Sequence, residues 1–426
     1  MNGPNLLLEP YAWMGLHLSV PAHWELRRHG LLPDTGALVW VDRYAQRLEL
    51  RWQLLAKEPD LTRMLQFRRE ELKREDDKRT LSELPSGLRP WQGVLYGMEP
   101  RLCHALHYDT RHQVLLQLTF SLSGSREEIN QQLREILATV QVAEPPKAPT
   151  HWRAFGLDVR VPAAWTLDQA KVLPMDARLT FSCPARRRWT RLKPQVEVRR
   201  MGMAREWFDG DLCAFARSRS LDPLHASVEG DEAQQTVRSS QPRFPVLGKL
   251  GPRDHEVRLV RHLAAQNAML TVTLRHPGLT PATLADVQVQ GVPRAAAPEA
   301  ASARAPATDQ PILFAIPLQN QAVALHRKGE GGILKAPVKP RWWHQRPFRW
   351  FVPVREARGF GLDRFGMEVW EACDGERTVE AISEAFAHSH EVTFHEARVA
   401  VCQFIRSLTE RELLVLQIPK ECLEAS

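Results

Sequence analysis

The alternation of hydrophobic and polar positions in this chain occurs twice. Residues 15–26, GLHLSVPAHWEL, return 141 positions later as residues 156–167, GLDVRVPAAWTL, with seven of twelve positions identical and no gap. In each block the alternation predicts a strand, the proline ends it by withdrawing a ladder donor, and the tryptophan turns back into the core. An aromatic side chain, Trp13 or Trp152, stands upstream of each block.

The surrounding pattern predicts two copies of one α+β domain, over 1–145 and 150–292. In the first copy, strands are expected over 37–41, 47–54, 92–97, 102–108 and 113–121, with a charged amphipathic helix over 61–78. Ser125 and Glu128 form a capping box for a second helix ending near Thr139. In the second copy, strands are expected near 177–182, 195–200, 256–262 and 268–275, with a helix over about 205–219 and a long connection after it. The offset between corresponding segments grows from 141 to 154, which places a gain of 13 residues between Leu221 and Gly251. No polar residue recurs in both copies where a catalytic group would be needed.

Residues 293–311 are nearly all Ala, Pro and small polar residues, too little apolar surface to repay ordering, and read as a linker. From 312 to 418 the pattern changes. A hairpin over 323–337 turns at Gly329 to Gly332, and a strand runs from Arg355 to Leu362. Three helices follow, opened by Asp363, by Thr378, and by a Thr393–Glu396 capping box. The stripe of the third is Phe394, Ala397, Val401, Phe404, Ile405 and Leu408.

Hydrophobic content of 43%, charged content of 25% and 13 Trp indicate folded cores. The start of the chain lacks a basic, unbroken apolar signal, and no stretch reaches the roughly 18 apolar residues of a membrane span, so a cytoplasmic protein without a transmembrane segment is expected. Six scattered cysteines with no CxxC pair fit free thiols rather than a disulfide scaffold or zinc ribbon. The net charge of +7 falls in 150–311, with 23 basic against 16 acidic residues. Residues 312–355 carry eight Lys or Arg against Glu330 alone, so a basic arm precedes an acidic helical body. That arm interleaves Trp342, Trp343, Phe348 and Trp350 with cations, as nucleic-acid and membrane-interface surfaces do; packing tryptophans with solvated cations is the simpler reading. The run from Arg186 to Lys193 reads as an exposed basic loop. His388, His390 and His395, and separately His104 and His107, lack a third ligand at recognisable spacing, and no cofactor or metal is expected. Walker, Rossmann, HExxH and GxSxG elements are absent, so the chain is read as a non-enzyme.

The segments LDRFGMEVWEACDGERTVEAISEAF (362–386) and EARVAVCQFIRSLTERELL (396–414) resemble the PqqD (pyrroloquinoline quinone biosynthesis protein D) family, a recognition element for ribosomally made, modified peptides. The resemblance implies a winged-helix-like module of three strands and three helices at 312–418, which captures a precursor leader as an added strand and presents it to a modifying enzyme. Carried onto this chain, the edge strand contributes Arg355, Arg358, Gly359, Phe360 and Leu362. The third helix contributes Arg398, Cys402 and Arg406, taken as one exposed face apart from the core stripe. Where the family ends in Gly-Leu, this chain has Arg411, Glu412 and Leu413, and a longer third helix is expected. The two N-terminal copies weakly resemble a PsbP-like α/β/α fold, as tandem antiparallel-sheet domains that serve as a platform for another protein. The function that follows is a binding or scaffold protein with a peptide or protein tail as partner. The alternatives are a structural subunit without peptide binding and a nucleic-acid binder acting through the basic arm. Most residues of the PqqD-like pattern are also explained by packing, a turn and caps, and the acidic helical body weighs against nucleic acid.

Overall fold

The computed structural model describes residues 7–75, 80–97, 100–143, 150–183, 194–242, 253–276, 287–293, 311–337 and 357–418. The linker at 294–310, the aromatic basic arm, the basic loop at 186–193, Arg355 and Cys422 lie outside them. The chain divides into two compact units, 1–301 and 302–426.

The first copy runs β1 (Leu8–Trp13), β2 (Leu16–Pro21), β3 (Glu25–His29), β4 (Thr35–Val41), β5 (Gln46–Leu54), α1 (Leu61–Glu75), β6 (Leu81–Glu83), β7 (Gln92–Tyr96), β8 (Arg101–Asp109), β9 (Val114–Leu122), α2 (Arg126–Leu137) and β10 (Gln141–Val142). The second runs β11 (Thr150–Ala154), β12 (Leu157–Val161), β13 (Thr166–Leu173), β14 (Asp176–Ser182), β15 (Gln195–Gly202), α3 (Ala204–Trp207), α4 (Leu212–Ser218), β16 (Ser227–Gly230), β17 (Gln234–Pro242), β18 (Arg253–Leu263), β19 (Ala268–His276) and β20 (Gln288–Gly291). Each copy builds an antiparallel seven-stranded sheet, and the two orders correspond strand for strand: β3-β4-β5-β9-β8-β7-β6 and β13-β14-β15-β19-β18-β17-β16. The turns correspond too. Met14 and Gly15 have φ of 50° and 76°, Phe155 and Gly156 have 57° and 73°, and all four share the left-handed geometry of a two-residue hairpin turn.

The copies are not independent domains. β1 pairs with β11 at Ala12↔Arg153, making one sheet of order β10-β2-β1-β11-β12-β20, symmetric about that junction. Trp13 and Trp152 meet edge to face there, 5.3 Å apart, and Trp13 also meets Phe155 at 5.9 Å. One apolar core then runs through both copies. The register also corrects the pairing of aromatics: Tyr11 faces Leu18 as Trp152 faces Val159, so the counterpart of Trp152 is Tyr11, and Trp13 belongs to the seam. Tyr11 packs on Trp40 as Trp152 packs on Phe181, each pair at 5.6 Å.

Two expectations for the second copy change. The helix at 205–219 is broken into α3 and α4, because Gly210 turns with φ 95° and Asp211 restarts the helix by accepting from the Ala214 N–H. Within the expected long connection, Ser227–Gly230 and Gln234–Pro242 pair as a hairpin, the counterpart of β6 and β7, despite its polar sequence.

Trp24 and Trp165 are both buried, at 2% and 7% exposure, and each donates its backbone N–H across 2.9 Å to the proline three residues earlier, Pro21 or Pro162. Replacing either by Ala is expected to cost about 3–5 kcal/mol, the range for a large buried aromatic. Urea unfolding of the full chain checks this, and a loss of stability in only one of the two variants contradicts the equivalence.

Candidate functional site

The C-terminal unit comprises β21 (Ile316–Gln319), β22 (Ala324–Lys328), β23 (Gly331–Pro337), β24 (Ala357–Leu362), α5 (Arg364–Ala372), α6 (Val379–His390), α7 (Phe394–Thr409) and β25 (Leu414–Gln417). The three helices begin where the sequence places them. Asp363 accepts from Gly366 N–H at 2.7 Å, Thr378 from Ala381 N–H at 3.2 Å, and Thr393 and Glu396 close a reciprocal capping box.

The signature residues of this segment are structural. A Cβ at Gly366 would stand 3.2 Å from the Phe404 ring, so glycine lets α5 and α7 approach. Cys373 is fully buried and its thiol donates to Val369 O at 3.1 Å; burial, then Asp374, pushes that thiol up to about 12. Asp374 accepts from the Arg377 and Glu376 backbone N–H groups and from the Arg377 guanidinium, which hold its carboxyl at about 2. Gly375, at φ 84°, completes the turn and lies against Leu318. His390 is buried against Phe386 and Phe365 and stands 2.7 Å from the Glu368 carboxylate, tying α6 to α5.

β24 is an outer strand. In the sheet β22-β23-β24 it pairs on one side with β23, from Gly332↔Leu362 to Pro337↔Ala357, and among the described residues no strand pairs with its other side. Its side chains alternate. Leu362, 8% exposed, and half-buried Phe360 share the inward face with fully buried Leu334. Gly359 and Gly361 pair with Lys335 and Ile333 on the opposite face, where a Cβ at Gly361 would meet nothing within 4 Å. Arg358 is exposed.

On α7 the three expected residues do not form one exposed face. Arg398 is only 4% exposed and its guanidinium lies 2.6 Å from His395 Nδ1; Cys402 is half-buried and Arg406 is exposed. Helical geometry explains the gradient. Arg398 precedes Ile405 by two turns and so lies on the core stripe, and each step of four residues rotates about 40° further from it. The three remain neighbours: burial pushes the Cys402 thiol up, and the charges of Arg398 and Arg406 oppose that push.

The residue that reaches the edge strand is Arg411, whose guanidinium lies over the Phe360 ring at 5.2 Å. It follows the end of α7, which stops at Thr409 rather than running on as expected. Leu413 N–H bonds to Leu408 O at 2.9 Å, Glu412 N–H bonds to Thr409 O at 3.0 Å, and Glu412 takes φ 61°, a Schellman ending with Glu at the position glycine prefers. A cleft of about 530 Å³ lies elsewhere in the unit, between the β22–β23 turn, α5 and α6, with Arg364, Glu368, Arg377 and Phe386 in its wall.

Residues 352–414 match the family model described as Coenzyme PQQ synthesis protein D (PqqD). The C-terminal end of the chain therefore carries a PqqD domain. A crystal structure from Bacteroides thetaiotaomicron VPI-5482 is 14% identical with a TM-score of 0.19, covering 34% of this chain and 50% of its own, too slight a likeness to inform the fold. No curated protein matches. No described helix is long and apolar enough to cross a membrane.

The burial gradient on α7 is testable. Arg398→Glu places a reversed charge among buried groups and is expected to destabilise by about 3–5 kcal/mol, whereas Arg406→Glu is expected to stay within about 0.5 kcal/mol. Chemical unfolding of both variants measures the difference, and equal stabilities contradict the placement of Arg398.

Proposed function

We propose that this chain is a non-catalytic binding protein in which β24 takes up an extended peptide or protein tail as an added strand and presents it to a partner such as a modifying enzyme. The observation that carries this reading is the outer position of β24 within the segment that matches the PqqD family. Backbone bonds along the unpaired side of the strand supply affinity, and side chains beside it supply choice. Arg358 on the strand and Arg411 over Phe360 support a positive character at this edge suited to an acidic segment, which exposed Arg406 on α7 is read as extending. The two N-terminal copies are read as a platform for a protein partner.

A nucleic-acid role for α7 is less well supported, because Arg398 is buried and Arg406 is left as its exposed arginine. Isothermal titration of the full chain with synthetic leader peptides encoded beside its gene tests the proposal. One such peptide is expected to bind, and Arg406→Glu with Arg411→Glu to weaken it at least tenfold, about 1.4 kcal/mol. Failure of every such peptide, or affinity untouched by the double substitution, favours the structural-subunit reading.

A further inference from the structure

The outer face of the second seven-stranded sheet carries an arginine-lined cleft of about 230 Å³. Its rungs follow from the register. Arg178 faces Arg199 and Arg199 faces Thr271; Glu197 faces Thr273 and Thr273 faces Arg258; Arg275 faces Glu256. Arg219, beyond α4, completes the lining with its guanidinium 5.4 Å from the Phe215 ring.

The first copy shows what such a face looks like when closed. There the corresponding rung is Glu49–Thr119–His104, so its Glu and Thr recur between the copies. The ungapped comparison hides them because the offset is 148 for Glu49 and Glu197 but 154 for Thr119 and Thr273. Over that rung lies unbroken α1, whose Leu72 packs on Val94 and Tyr96. Burial, then the charges of Arg68 and Arg51, hold His104 down at about 4, so it is neutral near pH 7 and its burial strands no ion. In the second copy Arg258 takes that place, and arginine cannot discharge. The broken α3–α4 pair closes over Met269, Val237 and Val260 and leaves the rungs beyond them open.

Charge in the cleft is unbalanced. Arg199 is held bidentately by Asp176 at 2.6 and 2.9 Å, and Glu256, 1% exposed, is shared by Arg258 at 3.2 Å and Arg275 at 2.8 Å. Glu197 stands 3.7 Å from Arg178. Among the described residues, five guanidiniums (178, 199, 219, 258, 275) against three carboxylates (176, 197, 256) leave an excess of two. Among the described residues, Nε of Arg178 and Nε of Arg258 are buried without a hydrogen-bond partner, and Arg178 faces Arg199 directly, a like-charge pair that destabilises a sheet. Burial pushes the Arg258 guanidinium down, Glu256 and Glu197 oppose this, and Arg275 and Arg219 add to the push.

We propose that this cleft binds a doubly charged oxyanion of the phosphate class, free phosphate or a phosphomonoester, between Arg178, Arg219 and Arg258 and above Thr271 and Thr273. A dianion cancels the excess of two and supplies acceptors to donors that lack them. The test is calorimetric titration of the full chain with inorganic phosphate and with phenyl phosphate, and with succinate as a dicarboxylate control, all at one ionic strength. Saturable phosphate binding is expected, at least tenfold weaker in Arg178→Gln/Arg219→Gln. That variant keeps the Glu256 pairs intact, and its unfolding midpoint without phosphate is expected to match the parent. Binding of phenyl phosphate assigns the site to an ester, and its exclusion assigns it to the free ion. No saturable phosphate binding, equal affinity for succinate, or unchanged affinity in the double variant overturns the proposal.

Discussion

Every backbone N–H and C=O withdrawn from water requires a partner, and the edges of sheets are where that requirement goes unmet. The N-terminal unit answers it by duplication. β1 and β11, which would each be the edge of a short three-stranded sheet, pair with each other, and Trp13 and Trp152 pack across the seam. The C-terminal unit leaves β24 with one side unpaired by any described strand. That contrast between a satisfied edge and an open one ties the fold to the proposed function, because an open edge is what an added strand needs.

The two halves differ in how their outer faces are covered. In the first copy an unbroken fifteen-residue helix lies over a neutral histidine; in the second, Gly210 and Asp211 split the helix and arginine replaces the histidine. The scaffold is thus held by rungs common to both copies, while charge and access differ above them. A face closed by a helix contributes to stability, and a face left open with guanidiniums in excess of the carboxylates beside them invites an anion.

Local signals were legible in the sequence and long-range ones were not. Ser125 with Glu128, Asp363, Thr378 and Thr393 with Glu396 each cap the helix they announce, because capping is a matter of three or four neighbouring residues. The repeated block exposes the duplication for the same reason. The β1–β11 pairing joins residues 141 apart, Ala12 and Arg153, and leaves no mark on either segment alone. The β16–β17 hairpin hides behind Gln, Ser and Thr, since an edge far from the shared core needs few apolar side chains. Of the candidate groove, the strand was legible and the helix face was misjudged. Spacing by four suggests a common face for Arg398, Cys402 and Arg406, yet the drift of an α-helix buries the first and exposes the last. Arg411 escaped notice because its contact with Phe360 joins two segments far apart in sequence and leaves no mark on either alone.

The central claim is that β24 is an unpaired edge which a peptide completes. Amide hydrogen exchange over residues 357–362 of the full chain, followed with and without a bound leader peptide, measures this directly. The account predicts rapid exchange along one side of the strand in the free protein and strong slowing when the peptide binds. Full protection of those amides before any peptide is added, or unchanged exchange with a peptide that demonstrably binds, would contradict it.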